Sequence, residues 1–138
     1  MFAVRLSVRS YEIDFNGHVN HANYHRYAEH ARMEHLVAAG ATMEAMAAHG
    51  VGIVLLETRV RFLSELLARE EIEVDSRLGF GEGRTFAMDH TITRVTTGAV
   101  AAQLDCRMGI LDTDTRRLVA DPAGRLRKVA THPEILGL

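Results

Sequence analysis

The sequence is poor in several residue types that mark particular classes of protein. Its 138 residues include one cysteine, two prolines and no tryptophan. A single cysteine, Cys106, excludes an internal disulfide framework. No apolar run is long enough to span a membrane, and no segment resembles a signal peptide. We therefore expect a cytoplasmic protein that does not associate with membranes.

A strong charge of either sign is also missing. The formal net charge is −2, and aromatic residues make up 6% of the chain. Nucleic-acid binding depends on a basic field, often combined with aromatic stacking. We therefore expect no nucleic-acid partner.

The chain does have the composition of an ordinary folded domain. It is 47% hydrophobic and 25% charged, which argues against intrinsic disorder. Its length suits one compact domain and leaves little room for a substantial second one. We expect a single domain over residues 1–138.

The first half of the chain has the pattern of a strand followed by a long helix. Residues 2–8 can form a strand, and residues 24–39 contain no proline or glycine before Gly40. A second, short helix is expected over residues 42–49. Apolar and small residues recur along the long helix on more than one side, which predicts cover on more than one face; they are Tyr24, Tyr27, Ala28, Ala31, Met33, Leu36, Val37 and Ala38.

From Val51 onward apolar residues alternate with polar ones, as in strands with one solvent-exposed face. The alternating sets are Val54, Leu56, Thr58, Val60 and Phe62; Ile72, Val74 and Leu78; Phe86, Met88, His90 and Ile92; and Val100, Leu104, Cys106, Met108 and Ile110. Glycine-containing breaks at 79–83 and 97–98 suit hairpins. The order predicts an α+β fold, in which an antiparallel sheet of about five strands packs on one helix. Residues 123–138 form a short helix or an irregular cover.

Residues 14–24 combine a carboxylate, amides, imidazoles and a glycine directly before the long helix. Gly17 permits a tight turn, and Asn20 is a favoured helix N-cap. The first backbone N–H groups of a helix have no partner within the helix, so they can bind a polarised carbonyl oxygen. This pattern is typical of an active-site loop.

The loop resembles that of the hot-dog-fold acyl-CoA thioesterases of the 4-hydroxybenzoyl-CoA thioesterase type. The shared residues are Asp14, Gly17, Val19, Asn23 and Tyr24, and the likeness in element order covers nearly the whole chain. It implies a single hot-dog domain, Asp14 as the catalytic carboxylate, and a thioester carbonyl facing the backbone N–H near His21.

The loop also resembles that of acyl-carrier-protein thioesterases. Asp14, Asn16, His18, Val19 and Asn20 match their catalytic loop. Their glutamate in a Leu-Glu-x-Arg context corresponds to Glu57, which becomes a secondary catalytic candidate. Those enzymes are longer and usually carry two repeats, whereas this chain has room for one.

The resemblances imply thioester hydrolysis with acyl-CoA as substrate and no separate cofactor. Asp14 either activates water or attacks the carbonyl itself, and the sequence leaves both routes open. For Asn16 and His18, direct chemistry and hydrogen bonding to the loop backbone remain equal alternatives. Glu57 is a catalytic candidate or an exposed strand residue. The expected substrate-binding residues are Gly17, Val19, Asn20, His21, Asn23 and Tyr24.

Three other kinds of site are disfavoured. His21 and His25 have the spacing of a helical metal pair, but the glutamate of the metalloprotease signature is absent and no further ligands complete a site, so we expect no metal. Cys106 alternates with apolar residues and is expected to be buried. Five cations are candidates for coenzyme A phosphates but are individually better explained as solvated surface charges: Arg69, Arg84, Arg125, Arg127 and Lys128.

A curved sheet around one helix leaves edges and apolar surface that another subunit can cover. We expect a homodimer at least, and the resemblance favours a homotetramer with sites at subunit boundaries, where Glu57 would meet Asp14 of the neighbouring chain. Hydrolysis of acyl groups on a carrier protein and non-catalytic acyl-CoA binding remain alternative functions. The acyl group depends on packing that the pattern does not define, among Tyr24, Tyr27, Phe62, Phe80, Phe86 and Met88.

Overall fold

A computed structural model describes residues 1–138. The strands are β1 (Phe2–Ser7), β2 (Val51–Phe62), β3 (Glu71–Phe80), β4 (Thr85–Arg94) and β5 (Val100–Asp112). The helices are α1 (His21–Ala38), α2 (Met43–Ala48) and α3 (Pro122–Val129). Short 3-10 turns occupy Ser10–Glu12 and Pro133–Leu136.

The five strands form one antiparallel sheet in the order β1-β3-β4-β5-β2. The predicted α+β arrangement of one strand, a long helix and four further strands is confirmed. The hairpins predicted at the two glycine-containing breaks are also present, between β3 and β4 and between β4 and β5. No helix combines the length and apolar character needed to cross a membrane.

Helix α1 lies across the inner face of the sheet and forms the core with it. Tyr24, Tyr27, Ala28 and Ala31 are buried, as their spacing predicts, and pack with fully buried residues of the central strands. The small alanines allow the helix to approach the sheet closely. Ala38, by contrast, is exposed. The prediction that α1 is buried on a second face is met only in part, because Met33 and Val37 are 47% and 51% exposed.

Strand β2 departs from the predicted alternation because it contains a β-bulge. Leu55 pairs with Met108 and Glu57 pairs with Arg107, so Leu56 has no partner on β5. The extra residue reverses which side chains face α1. Ile53 and Leu55 face the helix before the bulge, and Thr58, Val60 and Phe62 face it afterwards. The expectation that Val54 and Leu56 share a face with Thr58 was therefore wrong.

A network of polar groups is buried between α1 and the sheet. His90 is fully buried, and its Nδ1 lies 2.8 Å from the carbonyl oxygen of Asp75. Burial lowers the pKa of His90 to about 4. His35 lies between Ser76 Oγ, at 2.9 Å, and the carbonyl oxygen of Ile135, at 2.7 Å, and burial lowers its pKa as well. Both imidazoles are thus neutral at pH 7.

We predict that the protein loses stability on mild acidification because of these two histidines. The pKa of His90 falls from 6.5 to about 4 on folding, so the unfolded chain binds more protons between these values. Stability is therefore fully present above pH 6.5 and is lost as the pH falls toward 4, by about 1.4 kcal/mol per pH unit from one such group. Urea unfolding at steps between pH 7 and pH 5 measures the slope.

The matched variant is His90→Gln, which cannot be protonated in this range. Its free energy of unfolding is expected to be lower at pH 7 but to depend less on pH than that of the wild type. An unchanged slope in the variant would show that His90 is not responsible.

Candidate functional site

The loop before α1 is held in place by a buried carboxylate, Glu12. Its Oε1 accepts hydrogen bonds from the Tyr27 hydroxyl and from the Arg9 backbone N–H, both at 2.8 Å. Its backbone carbonyl accepts from the Asn20 N–H at 2.8 Å and from the Asn23 side-chain amide at 3.0 Å. Glu12 thus connects the start of the loop to the first turns of α1. Glu12 was not among the site residues predicted from the sequence.

The loop itself is a tight turn centred on Asp14. The Asp14 N–H donates to the His18 carbonyl at 2.8 Å, and the Asp14 carbonyl accepts from the Gly17 N–H at 3.0 Å. Gly17 has φ of +80°, a conformation that glycine adopts without strain. Oδ1 of Asp14 accepts the Asn16 N–H at 2.8 Å, so the carboxylate is oriented by the backbone. Its Oδ2 has no hydrogen-bond partner in the protomer.

The first turn of α1 presents a backbone N–H without a partner, that of His21. Asn20 is the N-cap, as predicted, and its side chain accepts the Ala22 N–H at 3.0 Å. The Asn23 N–H bonds to the Asn20 carbonyl at 2.9 Å. The His21 N–H donates to no group of the protomer. It lies at the positive end of the helix dipole, which favours an oxygen carrying negative charge.

Asp14 and this helix end lie at a shared cavity of 340 Å³. Its walls come from the loop, from the start of α1, and from the end of β2 with the segment that follows it. The T-shaped ring pair of Tyr24 and Phe62, with centroids 5.0 Å apart, forms one wall. The lining residues are Asp14, His18, Val19, His21, Tyr24, Phe62, Leu63, Ser64 and Glu65.

A contact between His18 and Glu65, which was not predicted from the sequence, fixes one side of this cavity. Nε2 of His18 lies 2.7 Å from Oε2 of Glu65, and both side chains are about half exposed. The two segments are also joined by the Val19 N–H, which donates to the carbonyl of the fully buried Leu66 at 2.9 Å. His18 is therefore held beside Asp14 in a defined orientation.

All of the predicted site residues except Glu57 lie in the loop or at the start of α1. Asp14, His18, Val19, His21 and Tyr24 meet at the cavity. Gly17, Asn20 and Asn23 shape the loop and the helix start, and Asn16 is exposed with only its backbone N–H bonded to Asp14. None of the five cations considered for coenzyme A phosphates lines this cavity.

Glu57 is the predicted residue that the protomer does not bring to Asp14. Cys106 faces α1, since its Sγ lies 3.5 Å from Nη1 of Arg32. Its neighbour Arg107 therefore faces the other side of the sheet, where it pairs with Glu57 at 3.2 Å. A catalytic role for Glu57 thus requires contact with another subunit and stays a prediction.

No group of three or more metal-ligating side chains occurs in the structure. Of the five histidines near the loop and α1, His35 is buried and hydrogen-bonded, and His21, His25 and His30 are exposed. Cys106 is buried, as predicted.

Known proteins resemble this chain in sequence and in fold. It is 33% identical over 92 residues to the acyl-acyl carrier protein thioesterase ATL3 of Arabidopsis thaliana, covering 67% of this chain but only 48% of that protein. It is 24% identical over 116 residues to the long-chain acyl-CoA thioesterase FadM of Escherichia coli, covering 84% and 87% of the two chains. The chain thus spans about half the length of ATL3 and most of FadM.

A solved structure of the Staphylococcus aureus protein SAV2348 in complex with CoA superposes with a TM-score of 0.83 at 22% identity, covering 93% of this chain and 80% of that one. The predicted hot-dog fold is confirmed. The family model described as the thioesterase-like superfamily matches residues 8–136, and the protein therefore belongs to that superfamily.

Proposed function

We propose that the protein hydrolyses an acyl-CoA thioester to the free acid and CoA. The observation that carries this proposal is the cavity shared by the Asp14 carboxylate and the unpaired His21 N–H at the start of α1. The similarity to FadM and to a CoA-binding protein of the same fold supports the substrate class. A fold alone does not define a reaction, so the site geometry is the main argument.

In the proposed reaction, the thioester carbonyl oxygen binds at the His21 N–H, where the helix dipole stabilises the developing oxyanion. The Oδ2 of Asp14, free of partners, either removes a proton from the attacking water or forms a transient anhydride with the acyl carbon. As the new bond to the acyl carbon forms, the C–S bond breaks and CoA leaves as a thiolate, which needs little help from an acid. In the anhydride route, a water molecule then hydrolyses the anhydride, which releases the free acid and regenerates the Asp14 carboxylate. Both routes require an ionised Asp14.

His18 orients the attacking group beside Asp14, and Glu65 holds His18 in position. The hydrogen bond between them fixes the ring, so that its second nitrogen, Nδ1, is available to water or substrate. Glu65 acts through His18 and is a positioning residue.

A subunit boundary completes the proposed site. Strand β2 is an edge strand, paired with β5 on one side only, and such an edge is available to a second copy of the chain. Leu55, Leu56, Phe62 and Leu63 are between 44% and 56% exposed on or next to it. Pairing of two β2 edges would cover these side chains, and a tetramer would bring two such dimers together.

A carrier-protein substrate is the second candidate, because ATL3 is named for that activity. The two candidates differ in the group on the sulfur. Comparing the rates of hydrolysis of the same acyl chain attached to CoA and to acyl carrier protein discriminates between them. We expect the acyl-CoA to be cleaved at least as fast as the acyl carrier protein thioester.

We predict that Asp14→Asn abolishes most of the thioesterase activity without unfolding the protein. The asparagine Oδ1 still accepts the Asn16 N–H, so the loop is retained, but no base or nucleophile remains. A loss of about 10²- to 10⁴-fold in kcat is expected, measured as thiol release from aryl-, short- and long-chain acyl-CoAs.

The matched control is Asp105→Asn, which removes an exposed carboxylate of β5 that lies 3.9 Å from Arg59. It should retain wild-type turnover. Equal rates for Asp14→Asn and the wild type would refute the role of Asp14, and absence of turnover with CoA and carrier substrates alike would refute the hydrolase.

Removing the partner of His18 should affect the rate more than substrate binding. Glu65→Ala frees the imidazole, and a misplaced group costs up to about 100-fold in rate. We expect kcat to fall by about tenfold with little change in KM. Glu65→Gln keeps a hydrogen-bond acceptor and should recover much of the loss; a similar loss in both variants would point to a role for the Glu65 charge itself.

The edge-strand interface predicts a particle heavier than the 15.3 kDa chain. Leu56→Asp places a charge on the β2 edge at a residue that lines neither cavity, and should shift sedimentation toward the monomer, with loss of activity. Ile135→Asp, on the distant C-terminal turn, should leave the assembly intact. A wild-type protein that sediments as a monomer at all concentrations would exclude the shared site.

A further inference from the structure

A second cavity of the protomer is larger than the one that contains Asp14. It has a volume of 610 Å³ and lies between the second half of α1, α2 and the first half of β2. Its walls are mainly apolar, and Met33, Met43, Met46 and Met108 are among the lining residues. Flexible methionine side chains adapt to ligands of varied shape.

One lining residue is a buried cation. Arg32 is only 9% exposed, and no carboxylate lies within salt-bridge distance of its guanidinium, although six other arginines pair with carboxylates in the protein. Its hydrogen bonds both come from Nη1, to His90 Nε2 at 3.3 Å and to Cys106 Sγ at 3.5 Å. A buried arginine without an anionic partner lowers the stability of the folded protein.

The hydrogen-bond partners of Arg32, His90 and Cys106, orient its guanidinium but do not supply a negative charge to pair with it. His90 Nδ1 donates to the Asp75 carbonyl, so its Nε2 accepts from Arg32, which requires a neutral imidazole. Burial, which lowers the pKa of His90, keeps it neutral. The positive charge of Arg32 is therefore preserved.

The remaining donors of Arg32 face the cavity. Every fully buried side-chain nitrogen of the protein has a hydrogen-bond partner. Nε and Nη2 of Arg32 have none in the protomer. These two groups must therefore be accessible, and the cavity is the space that Arg32 lines. Two adjacent N–H groups of a guanidinium match the two oxygens of a carboxylate.

The two cavities lie at opposite ends of the gap between α1 and β2. Tyr24 and Phe62 border the Asp14 end, and Arg32 and Leu55 border the other end. Tyr24 and Arg32 are separated by about 12 Å along α1, at roughly 1.5 Å per residue. An extended acyl chain of medium length matches that distance, and because the two cavities share no lining residue, it would have to pass between α1 and β2 to join them.

We propose that the large cavity receives the acyl chain and that Arg32 binds a carboxylate at its far end, so that the preferred substrates are ω-carboxylated acyl thioesters. The assignment rests on the proposed thioesterase function. The apolar walls take the methylene chain. Among the residues that line the cavity, the guanidinium is the only cation, and the one carboxylate is that of Glu29, an exposed residue.

The test compares matched pairs of thioesters, decanoyl-CoA with its ω-carboxylated counterpart and dodecanoyl-CoA with its counterpart. For the wild type, kcat/KM is expected to be about tenfold or more higher for the carboxylated member, as hydrogen bonds to a charged group permit. Arg32→Met keeps the shape of the side chain but removes the charge, and should reduce or reverse this ratio. Glu34→Gln, an exposed change on α1 outside the cavity, should leave the ratio unaltered.

Calorimetry on the wild type with decanoate and with decan-1-ol, which has the same chain but no carboxylate, provides a second measurement that requires neither turnover nor a folded variant. Tighter binding of the carboxylate supports the inference even if no thioester is hydrolysed, in which case only the proposed function fails. Asp14-dependent turnover with no preference within the pairs would overturn the inference and leave the hydrolase intact. A change of sedimentation mass in Arg32→Met would also overturn it, because Arg32 would then pair with a carboxylate of another subunit.

Discussion

The arrangement of the site depends on the buried carboxylate of Glu12. Its side chain binds Tyr27, and its backbone carbonyl binds Asn20 and Asn23, so one residue connects the strand end to the first turns of α1. Burial, together with the hydrogen bond to Glu12 and its negative charge, raises the pKa of Tyr27, which keeps the phenol a donor. With this anchor in place, the short turn at Asp14 can hold its carboxylate beside the helix end.

The same helix separates two tasks along its length. Its N-terminal end presents the His21 N–H and the cavity with Asp14, where charge would develop during hydrolysis. Its second half presents Arg32 to an apolar space. In the proposed reaction, different turns of one rigid helix would therefore carry out the chemistry and recognise the acyl group.

Most of the fold could be predicted from the sequence because its strands and helices have clear periodicity and its turns contain glycine. The β2 bulge could not, since an extra residue leaves the local composition unchanged and alters only the pairing with β5. In the site, Asp14, Gly17 and Asn20 are recognisable from their local pattern. Glu12, Arg32 and Glu65 act through partners 15, 58 and 47 residues away, Tyr27, His90 and His18, and no local pattern indicates such contacts.

The β2 bulge makes the two ends of the gap structurally independent. In a regular strand, every second side chain faces the same side from end to end. A single inserted or deleted residue therefore moves each following side chain to the opposite face. In β2, the alternation already changes at Leu56, the extra residue of the bulge. Losing that residue would turn either Leu55 or Phe62 away from the helix, so the insertion is a geometric requirement for one strand to line both cavities.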